Sequence, residues 1–282
     1  MTDFSERKST VQQVLAAVYR VGILGLMGGN VAALLLAAHP LRAVEFLKHS
    51  LFSWQMIKGG GLSIRQFHEL YPQTPEHLNI SILPRCSGYL DLIDAHYTKD
   101  FFYLSLLARV LSPKVVFEIG TFEGQSALLF ALNTPADAKV FTLDLPKGSQ
   151  AAVHLPTTVI DDAHIKGYRA KTKYLYEGKP CSSKIKQLYG DSALLDFRPW
   201  HGGIDLFFID GAHSYEYVRS DTLRALECCH AGSVIAWHDY GRWGVNGVSR
   251  WLHALAKEHP IHRFPGSSVA VMQVGVVGDA QR

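Results

Sequence analysis

What this chain of 282 residues lacks narrows its chemistry first. It has no GKS or GKT phosphate loop, which argues against a nucleoside triphosphate as ligand. It has no GxGxxG run: the one glycine-rich turn after an apolar segment carries only Gly120 and Gly124, with Thr121, Phe122 and Glu123 between them. A dinucleotide fingerprint needs its extra glycine to bring a pyrophosphate onto the backbone, and an acidic loop suits that group poorly. The four cysteines, Cys86, Cys181, Cys228 and Cys229, show no CxxC spacing, and the adjacent pair, expected on one helix, is badly disposed to bridge. A reducing, cytoplasmic setting fits them best. Charge is sparse as well. A net charge of +3, with no RNA-recognition, zinc-finger or KH signature, gives no footprint for nucleic acid. With 48% hydrophobic and 19% charged residues the chain is not disordered, and its length allows one full α/β domain and an extra segment.

What is present is concentrated in VVFEIGTFEGQS, residues 115–126. An apolar run stops at Glu118 and Gly120, and Gly124 opens an apolar helix. Such a strand, turn and helix presents backbone amides to a ligand at a helix N-terminus. Gly120 lets the chain turn sharply beside the ligand, and Gly124 lets helix and strand approach closely. Twenty-four residues beyond Gly120, the run KVFTLDLP ends on Asp144, whose carboxylate can accept hydrogen bonds from both hydroxyls of a ribose. The pair selects a nucleoside ligand without a phosphate group to cradle.

The order of elements is readable from residue 96 onward. A helix, DFFYLSLLARVL, ends at Pro113; strands follow at 115–120, 139–144, 185–189, 204–209 and 232–237, with helices at 123–133, 214–230 and 246–258. The alternation implies a parallel sheet with right-handed crossovers. The chain closes with IHRF, a PGSS turn and VAVMQVGVV, two short strands that can pair as a hairpin.

Two segments stand outside this pattern. Residues 21–38, VGILGLMGGNVAALLLAA, are uncharged and approach the length of a membrane span, but Gly28, Gly29 and Asn30 read as the end of one helix and the cap of another. Packed helices of a cap or dimer interface are the favoured reading for the N-terminal segment 1–95; association of residues 11–50 with a membrane surface is the competing one. Charged residues at positions 3–8 and a late apolar stretch speak against a cleaved leader. Residues 147–184 are too long for an ordinary connection and carry seven basic residues (Lys147, Lys166, Arg169, Lys171, Lys173, Lys179, Lys184) against three acidic ones (Asp161, Asp162, Glu177). They form either a lid over the ligand crevice, favouring an acidic acceptor, or a solvated excursion.

The turn at 118–124, whose pattern is acidic, x, Gly, x, x, x, Gly, resembles the first motif of the class I S-adenosylmethionine-dependent methyltransferases. KIKQLYGDS (184–192), FFIDGAHSYEYVRSD (207–221) and VIAWHDYG (234–241) narrow the resemblance to a bacterial family with DGxHxY and HDY motifs, similar to Methyltransferase domain 24, over residues 96–275. It implies a Rossmann-like α/β fold with an antiparallel last strand. It implies S-adenosylmethionine as cofactor, held by Glu118, Gly120, Thr121, Gly124, Asp144, Asp191, Ser192 and Asp210, with Asp191 and Ser192 beside the adenine. His213, His238 and Asp239 are the expected catalytic residues. His213 is the first candidate for general base, because imidazole titrates near neutral pH.

In catechol-type O-methyltransferases, which the motifs also resemble, an aspartate after the fourth strand and an acidic or amide pair after the fifth bind magnesium. Asp210 and Asp239 match; His238 departs, which leaves manganese, iron, zinc or no metal open. The expected reaction is O-methylation of a small-molecule or glycan-type acceptor, by a cytoplasmic, possible homodimeric enzyme that is peripheral at the membrane in the competing reading. The alternatives are an NAD-dependent oxidoreductase and a scaffold that binds S-adenosylmethionine without turnover.

Overall fold

The computed structural model describes residues 61–83, 95–147, 153–169, 173–242 and 245–275. The expectations for residues 1–60, the apolar stretch 21–38 among them, lie outside the described residues. In chain order the elements are β1 (Ser63–Ile64), α1 (Phe67–Leu70), α2 (Ala95–Leu111), β2 (Val115–Ile119), α3 (Gln125–Asn133), β3 (Lys139–Asp144), α4 (Val159–Arg169), a 3-10 turn (Pro180–Lys184), β4 (Ile185–Tyr189), β5 (Ile204–Ile209), α5 (Tyr215–Cys228), β6 (Cys229–Trp237), α6 (Asn246–Leu255), β7 (His262–Arg263) and β8 (Ala270–Gln273).

The strands form one sheet in the order β1-β7-β8-β6-β5-β2-β3-β4. From β4 through β6 all neighbours are parallel, and β8 runs antiparallel to both β6 and β7. The Rossmann-like sheet with an antiparallel last strand is the one expected from the sequence. The central strands are apolar throughout because both of their faces are covered. Along β2, β5 and β6 the side chains alternate between two cores: Val116, Leu206, Phe208, Val234 and Ala236 face α2 and α3, while Phe117, Phe207, Ile209, Ile235 and Trp237 face α5 and α6. The period of two divides a continuous apolar run between opposite faces.

One boundary differs from the sequence reading. Helix α5 ends at Cys228, and Cys229 already belongs to β6, paired with Ile204 across a register shift before Leu206. The hydroxyl of Ser233 holds this irregular start by donating to the Ile204 carbonyl and accepting from the amide of His230. The two cysteines therefore sit on different elements, both free and buried. The insertion has structure of its own in α4 and the 3-10 turn.

Strand order reverses at β2, which has β3 on one side and β5 on the other. In an open parallel sheet the carboxyl ends of two such strands splay their following loops apart and leave a crevice. Among the described residues no helix is long and apolar enough to cross a membrane.

Candidate active site at the strand-order switch

A cavity of about 330 Å³ occupies the crevice. The loop after β2 forms its floor. Gly120 has φ +99°, and a Cβ there would run into the carbonyl of Asp210 and come within 2.9 Å of the Gly211 amide. The glycine is thus required by contact between the ends of β2 and β5, closer than any side chain allows. Gly124, at φ +79°, caps α3; a Cβ there would lie 2.7 Å from the ring of Tyr176. Its small size admits the insertion rather than the strand.

The half of the cavity beyond β3 and β4 is lined by Thr121, Asp144, Leu145, Gly190, Asp191 and Ser192. The Asp144 carboxylate accepts from the amides of Phe122 (2.8 Å) and Leu145 (2.7 Å). Burial pushes its pKa up to about 6 although these amides oppose the shift. Asp191 is more committed: it accepts from the amides of His154 and Ala193 and from the hydroxyl of Tyr217. Two residues expected to hold the cofactor do not line the cavity. Gly124 lies behind Tyr176. Glu118 is fully buried beneath the turn, where it accepts from Thr142, whose hydroxyl meets that of Thr121 at 2.7 Å. Burial raises the pKa of Glu118 to about 8, so it braces the turn as a neutral acid.

The half beyond β5 and β6 brings together Asp210, His213, His238 and Asp239, four residues singled out in the sequence. His213 stands between two carboxylates, Nδ1 donating to Asp161 at 2.6 Å and Nε2 to Asp239 at 2.9 Å. Burial opposes its charge, yet the two carboxylates outweigh it and push the pKa up to about 10. His238 places Nδ1 3.0 Å from Asp210 and 3.3 Å from Asp239, with Nε2 3.2 Å from Asp100. Its pKa is also raised well above the usual imidazole value, by those carboxylates against burial. Arg242 reaches Asp239 at 2.7 Å and Asp100 at 3.0 Å. Four carboxylates thus share three basic side chains. Asp239 occupies the left-handed region at φ +62°, a conformation that costs a non-glycine residue about 1 kcal/mol or more.

The sequence reading missed three members of this network: Asp100, Asp161 and Arg242. Asp100 on α2 is fully buried and accepts from the hydroxyls of Ser267 and Ser268 and the Ser268 amide. Burial raises its pKa, but His238 and these donors bring it down to about 2. A lone carboxylate opening the apolar helix run DFFYLSLL was its available signal. Asp161 comes from the insertion, where the spacing Thr158-x-x-Asp161 marks a helix start but not a place beside His213.

Among the described residues Asp210, His213 and Asp239 form a compact set of possible metal donors, with ligating atoms within 4.8 Å of one another. This set has His213 where the sequence reading had His238, whose Nδ1 lies against Asp210 and Asp239 and whose Nε2 meets Asp100. Two carboxylate oxygens and one imidazole nitrogen suit manganese, iron or zinc better than magnesium. The insertion walls the cavity with Val153, Asp161, His164 and Ile165. Among the described residues no lysine or arginine lines it: Lys166, Lys173 and Lys179 are exposed, Lys147 lies over the Tyr174 ring, and Lys184 donates to the carbonyls of Ala131 and Thr134.

A family model described as a methyltransferase domain matches residues 117–240. A caffeoyl-CoA O-methyltransferase of Stellaria longipes is 30% identical over 141 residues, covering 50% of this chain and 52% of its own length. The chain thus spans about half the length of that curated relative. Among solved structures, the O-methyltransferase TomG of Streptomyces achromogenes, involved in tomaymycin synthesis, is 18% identical with a TM-score of 0.45, over 74% of this chain and 97% of that one. An O-methyltransferase of Bacillus cereus is 17% identical with a TM-score of 0.43, over 72% and 85%. The glycine turn, the DGxHxY and HDY motifs and the strand-order switch all lie on or beside the stretch, residues 117–240, that matches the methyltransferase domain model.

Proposed function

We propose that this protein is an S-adenosylmethionine-dependent O-methyltransferase acting on a hydroxyl of a small-molecule acceptor, a glycan-type molecule included. The observation that carries the reading is the division of one cavity into two halves of different chemistry. On one side Asp144 and Asp191 supply hydrogen-bond acceptors among apolar side chains, as an adenosyl group requires. Facing them are Asp210, His213, His238 and Asp239, groups that simple binding of a cofactor does not need.

When bound, S-adenosylmethionine supplies an activated methyl group, so the protein's task reduces to holding the acceptor in line and managing its proton. Asp144 orients the ribose; its two backbone bonds fix the carboxylate before the ligand arrives. Asp210 and Asp239 accept a hydrogen bond from the acceptor hydroxyl, Asp210 takes its proton as the hydroxyl oxygen receives the methyl group, and the charges of His213 and His238 favour the developing oxyanion. A general-base role for His213 needs a free nitrogen, and in this arrangement both nitrogens are engaged. A divalent ion would be held by Asp210, Asp239 and Nε2 of His213, supplying the positive charge that otherwise rests on imidazole protons and acidifying the acceptor hydroxyl.

Calorimetry with S-adenosylmethionine and its demethylated product tests the cofactor half. Replacing Asp144 by alanine is expected to weaken binding about 10- to 100-fold, the worth of a hydrogen bond to a charged group; unchanged affinity would refute the ribose placement. For the reaction half, a panel of hydroxyl acceptors beginning with caffeoyl-CoA is expected to yield methyl ether only with the intact site. Manganese titration followed by electron paramagnetic resonance tests the ion: binding lost in Asp239→Asn supports it, and turnover unaffected by chelator rejects it.

A further inference from the structure

We propose that Asp161, carried by the insertion, is a positioning residue of the reaction centre: it fixes the ring orientation of His213 and clasps helix α4 to the loop that follows β5. The inference rests on the reading of His213 as part of the reacting half of the cavity. Asp161 is only 3% exposed, and each of its oxygens has assigned work. Oδ1 accepts from Nδ1 of His213 at 2.6 Å and from the His213 amide at 2.9 Å, so ring and backbone of the same residue are held by one atom. Oδ2 accepts from the Thr158 amide at 2.7 Å, while the Asp161 amide donates to the Thr158 hydroxyl at 3.1 Å. This reciprocal pair sets the first turn of α4, and the carboxylate cannot swing away without undoing it.

The consequence for His213 is a defined role for each ring nitrogen. With Nδ1–H committed to Asp161, Nε2 is the atom that faces Asp239 and the cavity, at 2.9 Å from Oδ2. A carboxylate on one ring nitrogen fixes tautomer and orientation for whatever the other nitrogen does, whether it meets an ion, a carboxylate or an acceptor. The insertion is also fastened upstream, where the amides of His154 and Leu155 donate to the Tyr217 hydroxyl and that of His154 to Asp191. Between the two fastenings Val153, His164 and Ile165 complete the cavity wall. The ring of His164 packs edge-on toward that of His213 with centroids 6.1 Å apart. An insertion that formed only a solvated excursion would have no reason to bury a carboxylate against the reacting histidine.

The test uses the full chain, labelled with nitrogen-15, and the Asp161→Asn variant. Long-range proton–nitrogen correlation spectra of wild type are expected to show His213 Nδ1 protonated, with its proton shifted far downfield by the short bond to a carboxylate. An unprotonated Nδ1 overturns the proposal without recourse to any variant. In Asp161→Asn the downfield signal is expected to vanish, and hydrogen exchange of the His213 amide and of residues 159–169 to rise about tenfold or more. A His213 spectrum unchanged in the variant, or changed only together with a general loss of structure, also overturns the proposal. Failure of wild type to bind S-adenosylmethionine would instead count against the proposed function, so the two failures are separable.

Discussion

At the scale of single residues, the decisive fact is that most charged groups near the crevice are spoken for before any ligand enters. Glu118 illustrates it. Buried below the Gly120 turn, it keeps its proton to about pH 8, against 4.5 for an ordinary glutamate. Because the folded state holds this proton where the unfolded state has lost it, the contribution to stability is full below pH 4.5 and is lost as pH rises toward 8. Glu118→Gln keeps an acceptor for the Thr142 hydroxyl and removes the titration. Urea unfolding at pH 5 and pH 8 should show wild type losing roughly 2 kcal/mol or more relative to the variant over that interval; parallel pH profiles would show that Glu118 is ionised in the folded protein. The acidic position of the turn was legible in the sequence, but its protonated, bracing role was not, because that depends on strands β3 and β5 closing over it.

At the scale of elements, the insertion is the part whose role changed most between sequence and structure. Its excess of lysines suggested a charged lid, yet none of the lysines whose side chains are described lines the cavity. Its uncharged and acidic residues do the closing. Tyr174 and Tyr176 stack with centroids 5.0 Å apart, and Tyr176 lies over Gly124 while its hydroxyl donates to Gln187 at 2.7 Å. Gly124→Ala should therefore strain the φ +79° cap and push Tyr176 outward, costing about 1–3 kcal/mol. Hydrogen exchange should locate the loosening in residues 173–179 as well as in α3. If exchange rose in α3 alone, the glycine would be serving its helix only. Sequence patterning gave β2, β3, β4 and β5 within a residue of their ends, since a run of buried apolar residues bounded by turns is a local signal. Tyr176 over Gly124 is a contact across 52 positions, invisible to any such pattern.

At the scale of the whole molecule, the buried carboxylate of Asp100 joins regions far apart in sequence. From α2 it reaches the turn between β7 and β8 through Ser267 and Ser268, and the end of β6 through His238 and Arg242. The antiparallel β8, inserted between β6 and β7, is what brings that turn to the reaction centre. Removing one partner from such a network leaves the others buried without compensation. Asp100→Ala is expected to cost about 3–5 kcal/mol in chemical denaturation, and a loss below about 1 kcal/mol would mean that water takes the place of the carboxylate without penalty. The same variant should disturb His238 more than the Asp144 side of the cavity, which it does not touch.

The sequence by itself determined the order of strands and helices, the position of the glycine turn, and the motifs that place Asp144, Asp210, His213, His238 and Asp239 at strand ends. These are short-range properties: apolar period, turn chemistry and residue type at a fixed distance from a strand's carboxyl end. Only the tertiary structure decided their electrostatic state. Asp100 and Asp161 reach the two histidines from a helix and an insertion, and with Asp210 and Asp239 their negative charges favour the protonated imidazoles, while Arg242 on a loop pairs with Asp100 and Asp239. Burial and charge act through space at a few ångströms, whatever the separation along the chain.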